Sequence, residues 1–186
     1  MPDPALRIRP STEADLAAIT AAYAWNVLHG SGTFELEPPD AAEMARRRAG
    51  VQAQGLPWLV AERAGQVLGY AYASPFRPRP AYRFALEDSI YLVPEAQRQG
   101  VGRLLLAELL ARCEAAGARQ MFAVIGDSAN AGSIGVHRAC GFEVLGTMRS
   151  AGWKFGRWLD VVLMQRPLGP GDATAPDDGA RAPAGA

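Results

Sequence analysis

Cysteine and histidine are scarce, two of each in 186 residues. Cys113 and Cys140 stand 27 apart, with no CxxC pair and no Cys/His cluster. That excludes a disulfide framework and a zinc site, so no metal is expected and a reducing compartment is the default. Neither sign of charge is in excess, with 19 Lys+Arg against 19 Asp+Glu. A dedicated nucleic-acid binder needs surplus basic residues for phosphate contacts, so no nucleic-acid partner is expected. No apolar run approaches the length of a membrane-spanning helix, so no membrane partner is expected either. The start, Met1-Pro2-Asp3-Pro4, lacks the basic and then apolar stretches of a secretory leader. Together these absences predict a cytoplasmic protein. Two nucleotide signatures are also missing: there is no GxGxxG followed by an acidic residue, and no GxxxxGK[ST].

What is present supports one domain. Hydrophobic residues make up 49% of the chain, enough for a core. Residues 169–186 are different: 13 of these 18 are Gly, Pro or Ala, and none is aromatic, Val, Ile, Leu or Met. Such a stretch buries too little apolar surface to offset its ordering entropy. The expected division is a folded unit over 1–168 and a disordered tail over 169–186. Periodicity predicts a mixed α/β order. A short strand ends at Pro10, and Thr12 with Asp15 opens a helix running to about Leu28. An extended piece at Thr33–Glu37 follows, and Asp40 caps a charged helix through Arg48. Trp58–Glu62 and Val67–Ser74 form a hairpin about Gly65-Gln66. A long strand Phe84–Val93 leads into a helix from Val101 to about Ala116, stopped by Gly117. A buried strand at Met121–Ile125, a short helix Ser133–Cys140 and strands at Phe142–Met148 and Trp158–Gln165 complete the order.

The most informative stretch is Leu92-Val93-Pro94-Glu95-Ala96-Gln97-Arg98-Gln99-Gly100-Val101-Gly102-Arg103. A strand ends, a basic turn containing glycine follows, and a helix begins. The first amides of a helix have no internal partners and carry partial positive charge, which suits a phosphate. Gly100 and Gly102 let the backbone approach a pyrophosphate, and Arg98 and Arg103 add charge. An ordinary strand–helix turn would use the same glycines for geometry alone.

The run Gln97-Arg98-Gln99-Gly100-Val101-Gly102 resembles the acyl-CoA pyrophosphate loop of the GCN5-related N-acetyltransferases (GNAT). Asn130, Ser133, His137 and Gly141-Phe142 resemble that superfamily's closing segment. Along residues 6–168 the likeness is closer to its phosphinothricin/methionine sulfone N-acetyltransferase branch, through Thr33-Phe34-Glu35, Arg77-Pro78-Arg79-Pro80-Ala81-Tyr82, Glu87-Asp88-Ser89 and Gly156-Arg157-Trp158-Leu159-Asp160-Val161. The resemblance implies a GNAT fold, a central, mostly antiparallel twisted sheet flanked by helices, with an acyl-CoA cleft at splayed strands. It implies acetyl-CoA as co-substrate, a small amino acid or analogue as acceptor, and a homodimer. It also implies that Leu92, Val93, Gln97–Arg103, Asn130 and Ser133 contact the cofactor, and that the N–H of Val93 or a neighbour polarises the thioester carbonyl.

Acetyl transfer to an amine requires loss of an ammonium proton, stabilisation of a developing oxyanion and departure of a thiolate. Strand alternation puts Glu87, Ser89 and Tyr91 on one face and leaves Asp88 on the other. Glu87 is the leading base, since the resemblance places it where the branch has its base; by residues alone a solvated strand Glu serves equally. His137 stands where many GNAT members have a tyrosine acid, and could relay a proton or simply hydrogen-bond locally. Tyr91 could bond near the substrate or pack. Arg77 and Arg79, in a Pro-stiffened loop, suit a substrate carboxylate. Tyr82 and Phe34 could wall the pocket, and Glu35 could meet the amino group. A protein N-terminus, a lysine or a polyamine is the alternative acceptor, and a non-catalytic acyl-CoA-binding domain the alternative class.

Overall fold

The computed structural model describes residues 5–177. Seven strands form one sheet in the order β1-β2-β3-β4-β5-β7-β6. β1 (Arg7–Pro10), β2 (Trp58–Arg63), β3 (Gln66–Pro75) and β4 (Ala85–Leu92) pair antiparallel in sequence. β5 (Gln120–Gly126) pairs parallel with β4, while β6 (Glu143–Lys154) and β7 (Arg157–Pro167) return antiparallel. A parallel neighbour needs a crossover, and α3 (Val101–Ala115) supplies it between β4 and β5.

The other helices are α1 (Leu16–His29), α2 (Ala41–Ala53) and α4 (Ala131–Ala139). Local chemistry sets their starts. The Asp15 carboxylate accepts from the Thr12 amide and hydroxyl before α1, and Asp40 accepts from the Glu43 amide at the head of α2. Asn130 rather than Ser133 caps α4, its Oδ1 accepting from the Ser133 amide at 3.2 Å. A short helical turn, Pro94–Ala96, joins β4 to the approach of α3.

Helices lie on both faces of the sheet. Tyr91 of β4 meets Tyr23 of α1 edge-on at 4.8 Å, so the Glu87/Ser89/Tyr91 face looks toward α1. Ile90 and Leu92 lie beside Gly102 of α3 and Val136 of α4, so the alternate residues look toward those helices. The buried core runs through both layers, from Ile19, Trp58 and Tyr70 to Leu105, Leu109 and Met164.

The extended piece expected at Thr33–Glu37 is an irregular loop outside the sheet. The strand expected to end at Met148 is longer. β6 continues six residues past Met148 because a bulge between Met148 and Gly152, with Ser150 at φ 51°, lets the strand bend and resume pairing. The chain also stays against the fold after Leu168: Arg119 donates to the carbonyls of Gly171, Thr174 and Ala175. The rest of the expected tail, from 178 onward, lies outside the described residues. Among the described residues no helix is long and apolar enough to cross a membrane.

Candidate active site

The site follows from one incomplete strand pairing. β4 and β5 share only the rungs Ala85↔Gln120, Leu86↔Met121 and Glu87↔Phe122. Beyond Glu87, β4 continues on β3 as far as Leu92, and β5 on β7 as far as Gly126. The two strands therefore diverge, and a cleft of about 790 Å³ opens between them, floored by α3 and α4 and roofed by the α1–α2 loop.

The free backbone groups in this gap can be assigned. The Val93 amide donates to Leu68 O at 3.0 Å, and Ala85 O accepts from Phe76. Odd-numbered residues of β4 thus turn their backbone groups to β3. Successive residues alternate, so the amides of Asp88, Ile90 and Leu92 face the gap. Of the donors expected there, Val93 or a neighbour, the Val93 N–H is occupied, and Ile90 and Leu92 are the available donors. The Leu92 carbonyl is taken by Asn26 Nδ2 at 3.1 Å.

Glu87 sits at the last rung before the gap. Its side chain is half-buried, and its pKa is raised above the ordinary carboxylate value by burial first and by the charge of Asp88 second, with Arg77 pulling the other way. On the same face, Tyr72 bonds to Ser89, and burial raises the Tyr72 pKa against that bond. Tyr91 lines the cleft beside Tyr23, its hydroxyl pKa pushed well up by burial. The Tyr23 hydroxyl bonds to Thr33 and Glu35.

At the other end of the cleft stand Gln97, Arg98 and Gly102, with Asn130 and Ser133 opposite. Gly100 takes the N-cap position of α3 with a left-handed backbone (φ 79°) and offers no side chain to the first amides. Those amides are left for an anion, as a pyrophosphate site requires. Arg98, also left-handed at φ 58°, lies on the cleft wall.

Several expected residues lie elsewhere. Gln99 is bound to Arg63 and to the Glu95 carbonyl. The Val101 side chain is fully buried in the core, so that only its amide, the first of α3, is left for the cofactor. Arg103 turns to a separate cavity with Cys140 and Arg166. The Glu35 carboxylate is held by Arg47 at 2.6 Å and by Tyr23, away from the cleft lining. Arg77 stacks on Phe76 at 4.5 Å, and Tyr82 meets the same ring edge-on. Arg77, Arg79 and Tyr82 therefore sit beyond the Glu87 end of the gap rather than in its lining. Phe34 is in the lining.

The burial of Lys154 is not legible in local sequence. Its Nζ donates to Gly30 O at 2.9 Å and Thr33 O at 2.8 Å, tying the end of β6 to the roof loop. Burial lowers its pKa. Asp88 points away from Glu87, as strand alternation requires, and meets His137 at 2.9 Å, a partner 49 positions away that no local pattern reveals. Among the described residues no cluster of His, Cys, Asp and Glu could hold a metal ion.

A splayed β4/β5 gap beside an uncapped helix start suits an acyl-CoA. The model of the acetyltransferase (GNAT) family matches residues 21–142. The chain belongs to the GNAT family. Among GNAT enzymes it is 56% identical over 173 residues to phosphinothricin N-acetyltransferase of Alcaligenes faecalis, covering 93% of this chain and 88% of that one. It is 42% identical to the L-methionine sulfoximine/L-methionine sulfone acetyltransferase of Pseudomonas paraeruginosa, covering 88% and 95%. A crystal structure of a GNAT phosphinothricin acetyltransferase from Sinorhizobium meliloti, in complex with acetyl-CoA, superposes with a TM-score of 0.90. The two are 52% identical, with 94% of each chain covered.

Proposed function

We propose that the protein transfers the acetyl group of acetyl-CoA to the α-amino group of a small amino acid or analogue, of the phosphinothricin and methionine sulfone class, with Glu87 as general base. The observation that carries this reading is the position of Glu87. It is a half-buried carboxylate at the mouth of a gap lined by free β4 amides, with its pKa raised by burial. A base with a raised pKa is better matched to proton transfer near neutrality than an ordinary carboxylate.

Acetyl-CoA supplies an activated acyl group and a thiolate leaving group. The chain's residues do the rest. The first amides of α3, with Arg98, bind the pyrophosphate. The amides of Ile90 and Leu92 aim at the carbonyl oxygen on which charge develops, where preorganised donors count most. Glu87 takes a proton from the incoming ammonium. Arg77, whose charge acts on Glu87, and Arg79 meet the substrate carboxylate, with Phe34 and Tyr82 around the side chain.

The test is thiol release across a panel of phosphinothricin, methionine sulfone, methionine sulfoximine, ordinary amino acids, a polyamine and a short peptide. Turnover concentrated on the amino-acid analogues is expected. Turnover on peptide or polyamine alone would overturn the acceptor, and acetyl-CoA binding with no turnover on any acceptor would overturn the enzymatic reading.

In the same reading the protein is a homodimer. β6 is the open edge of the sheet, and Leu145, Met148, Trp153, Phe155 and Trp158 on the β6–β7 arm are each about half exposed. A patch of that size and aromatic content is unusual on a monomer. Light scattering is expected to give twice the 19.8 kDa chain mass, and Trp158→Glu to shift it toward one. A monomer in the unmutated protein would refute the dimer. The compartment proposed is the cytoplasm, where Cys113 and Cys140, buried and not in a disulfide, stay reduced.

A further inference from the structure

The pair Asp88–His137 joins β4 to α4 across 49 positions of sequence. Both side chains are almost wholly enclosed, at 1% and 2% exposure, yet both residues form part of the cleft wall. The hydrogen-bond arrangement determines the protons. His137 Nδ1 lies 2.7 Å from the carbonyl oxygen of Ser133. A carbonyl oxygen only accepts, so Nδ1 carries hydrogen. Nε2 lies 2.9 Å from Asp88 Oδ2. A bare ring nitrogen facing a bare carboxylate oxygen at that distance, away from water, would be repulsive. One proton must therefore lie between them. An ordinary carboxyl is a stronger acid than imidazolium, which places that proton on Nε2.

Both ring nitrogens are then donors already committed to protein acceptors. His137 has no lone pair left for an ammonium proton. Burial alone would lower its pKa, but the charge and hydrogen bond of Asp88, with the Ser133 carbonyl, outweigh burial and raise it. Among the described residues no other carboxylate acts on the ring. The Phe142 ring stands edge-on at 5.0 Å. At the C-terminal cap of α4 is Cys140, whose thiol pKa is raised by burial, with Arg103 and Arg166 beyond it. The other oxygen, Asp88 Oδ1, is buried without a hydrogen-bond partner. Asp88 also acts on Glu87, one residue away, where its charge helps raise the carboxyl pKa.

We propose that Asp88 is a positioning residue that holds His137 permanently proton-loaded, so that His137 is not the general base, and that its charge helps set the pH at which Glu87 becomes active. The inference rests on the acetyltransferase reading only for its kinetic part; the state of the His137 ring can be measured without any substrate.

The chain has only two histidines, His29 and His137. Protein labelled with ¹⁵N at histidine alone therefore gives two ring systems, and His29→Gln assigns them. Through the pH range near about 6.5 where a free histidine loses its proton, His137 is expected to keep both ring nitrogens protonated. In Asp88→Asn it is expected to become a neutral ring with hydrogen on Nδ1 alone. The same variant is expected to lower kcat about tenfold, to leave the KM for acetyl-CoA within about threefold, and to move the acidic limb of the kcat/KM profile to lower pH. The direction of that last shift follows because the Asp88 charge, one residue from Glu87, acts on that carboxyl more strongly than the His137 charge lost with it.

An unmutated His137 that titrates like a free imidazole would overturn the proposal. So would an Asp88→Asn protein whose ring signals match the parent, or whose acidic limb does not move. If Asp88→Asn fails to fold, Asp88→Ser takes its place in the spectra and in the pH profile. The ring state of the unmutated protein decides the first half of the proposal in either case.

Discussion

Glu87→Gln is expected to lower kcat at pH 7 about a hundredfold, within the range that loss of a general base produces. Binding of acetyl-CoA should change by less than about threefold, because the pyrophosphate end of the cleft, at Arg98 and the start of α3, lies at the opposite end of the gap from Glu87. The pH dependence carries the sharper prediction. A general base acts as the carboxylate. Burial and the charge of Asp88 raise the Glu87 pKa above the ordinary carboxylate value. Activity in the parent enzyme should therefore rise as pH increases through that raised value, and the rising limb should lie above the range of a solvated glutamate. In Glu87→Gln this limb should vanish. Stability should move the other way from activity. A carboxyl group with a raised folded-state pKa stabilises the fold below its unfolded pKa, and that contribution is lost as pH rises through the folded value, leaving a net cost at neutrality. Removing the charge should leave Tm at pH 7 unchanged or slightly higher. A variant that loses activity and Tm together would point to a structural role for Glu87, and a variant that retains the acidic limb would remove it as the base.

The parts of the site that depend on local pattern were legible in the sequence. The strand–turn–helix around Gln97–Gly102 and the alternation of Glu87, Ser89 and Tyr91 both rest on spacings of a few residues. Helix starts at Thr12 and Asp40 were legible for the same reason. What escaped depends on contacts between distant segments. Asp88 could be assigned to the face away from Glu87, but not to a histidine 49 positions on. Val93 looked available because a sequence does not say which edge of a strand will find a partner. Its amide turned out to serve β3, and the free donors fell to its neighbours. Glu35 carried the right charge for an ammonium, yet Arg47, 12 positions later on α2, claims it first. Lys154 gave no local sign of burial, because a lysine in an aromatic, glycine-containing arm reads as a surface residue until the bulge at Ser150 folds that arm onto the roof loop.

That roof loop is the subject of the second large effect. Gly126→Ala is expected to lower stability by about 2 kcal/mol or more, in the range of overpacked interiors, and to reduce kcat/KM for the acceptor at least about tenfold. Gly126 ends β5, where a Cβ would stand 2.0 Å from the backbone oxygen of Ser31 and 3.0 Å from the Phe34 ring. A backbone carbonyl cannot swing aside as a flexible side chain can. The loop is also held from three other directions: Lys154 Nζ binds the carbonyls of Gly30 and Thr33, the Tyr23 hydroxyl binds Thr33 Oγ1, and Gly152 packs against the Phe34 ring. A methyl group at 126 must therefore push the whole loop outward or drive β5 back toward β7, and either movement reshapes the wall that Phe34 presents to the cleft. For a domain of this size the stability loss corresponds to a fall in Tm of about 4–8 °C. Gly135→Ala is the matched control. It lies within α4, where a Cβ would meet nothing within 4 Å, so helix propensity predicts an unchanged or slightly higher Tm. If Gly126→Ala behaved like Gly135→Ala in both Tm and acceptor kinetics, the close seating of the loop on β5 would be refuted, and with it the assignment of Phe34 to the wall of the acceptor pocket.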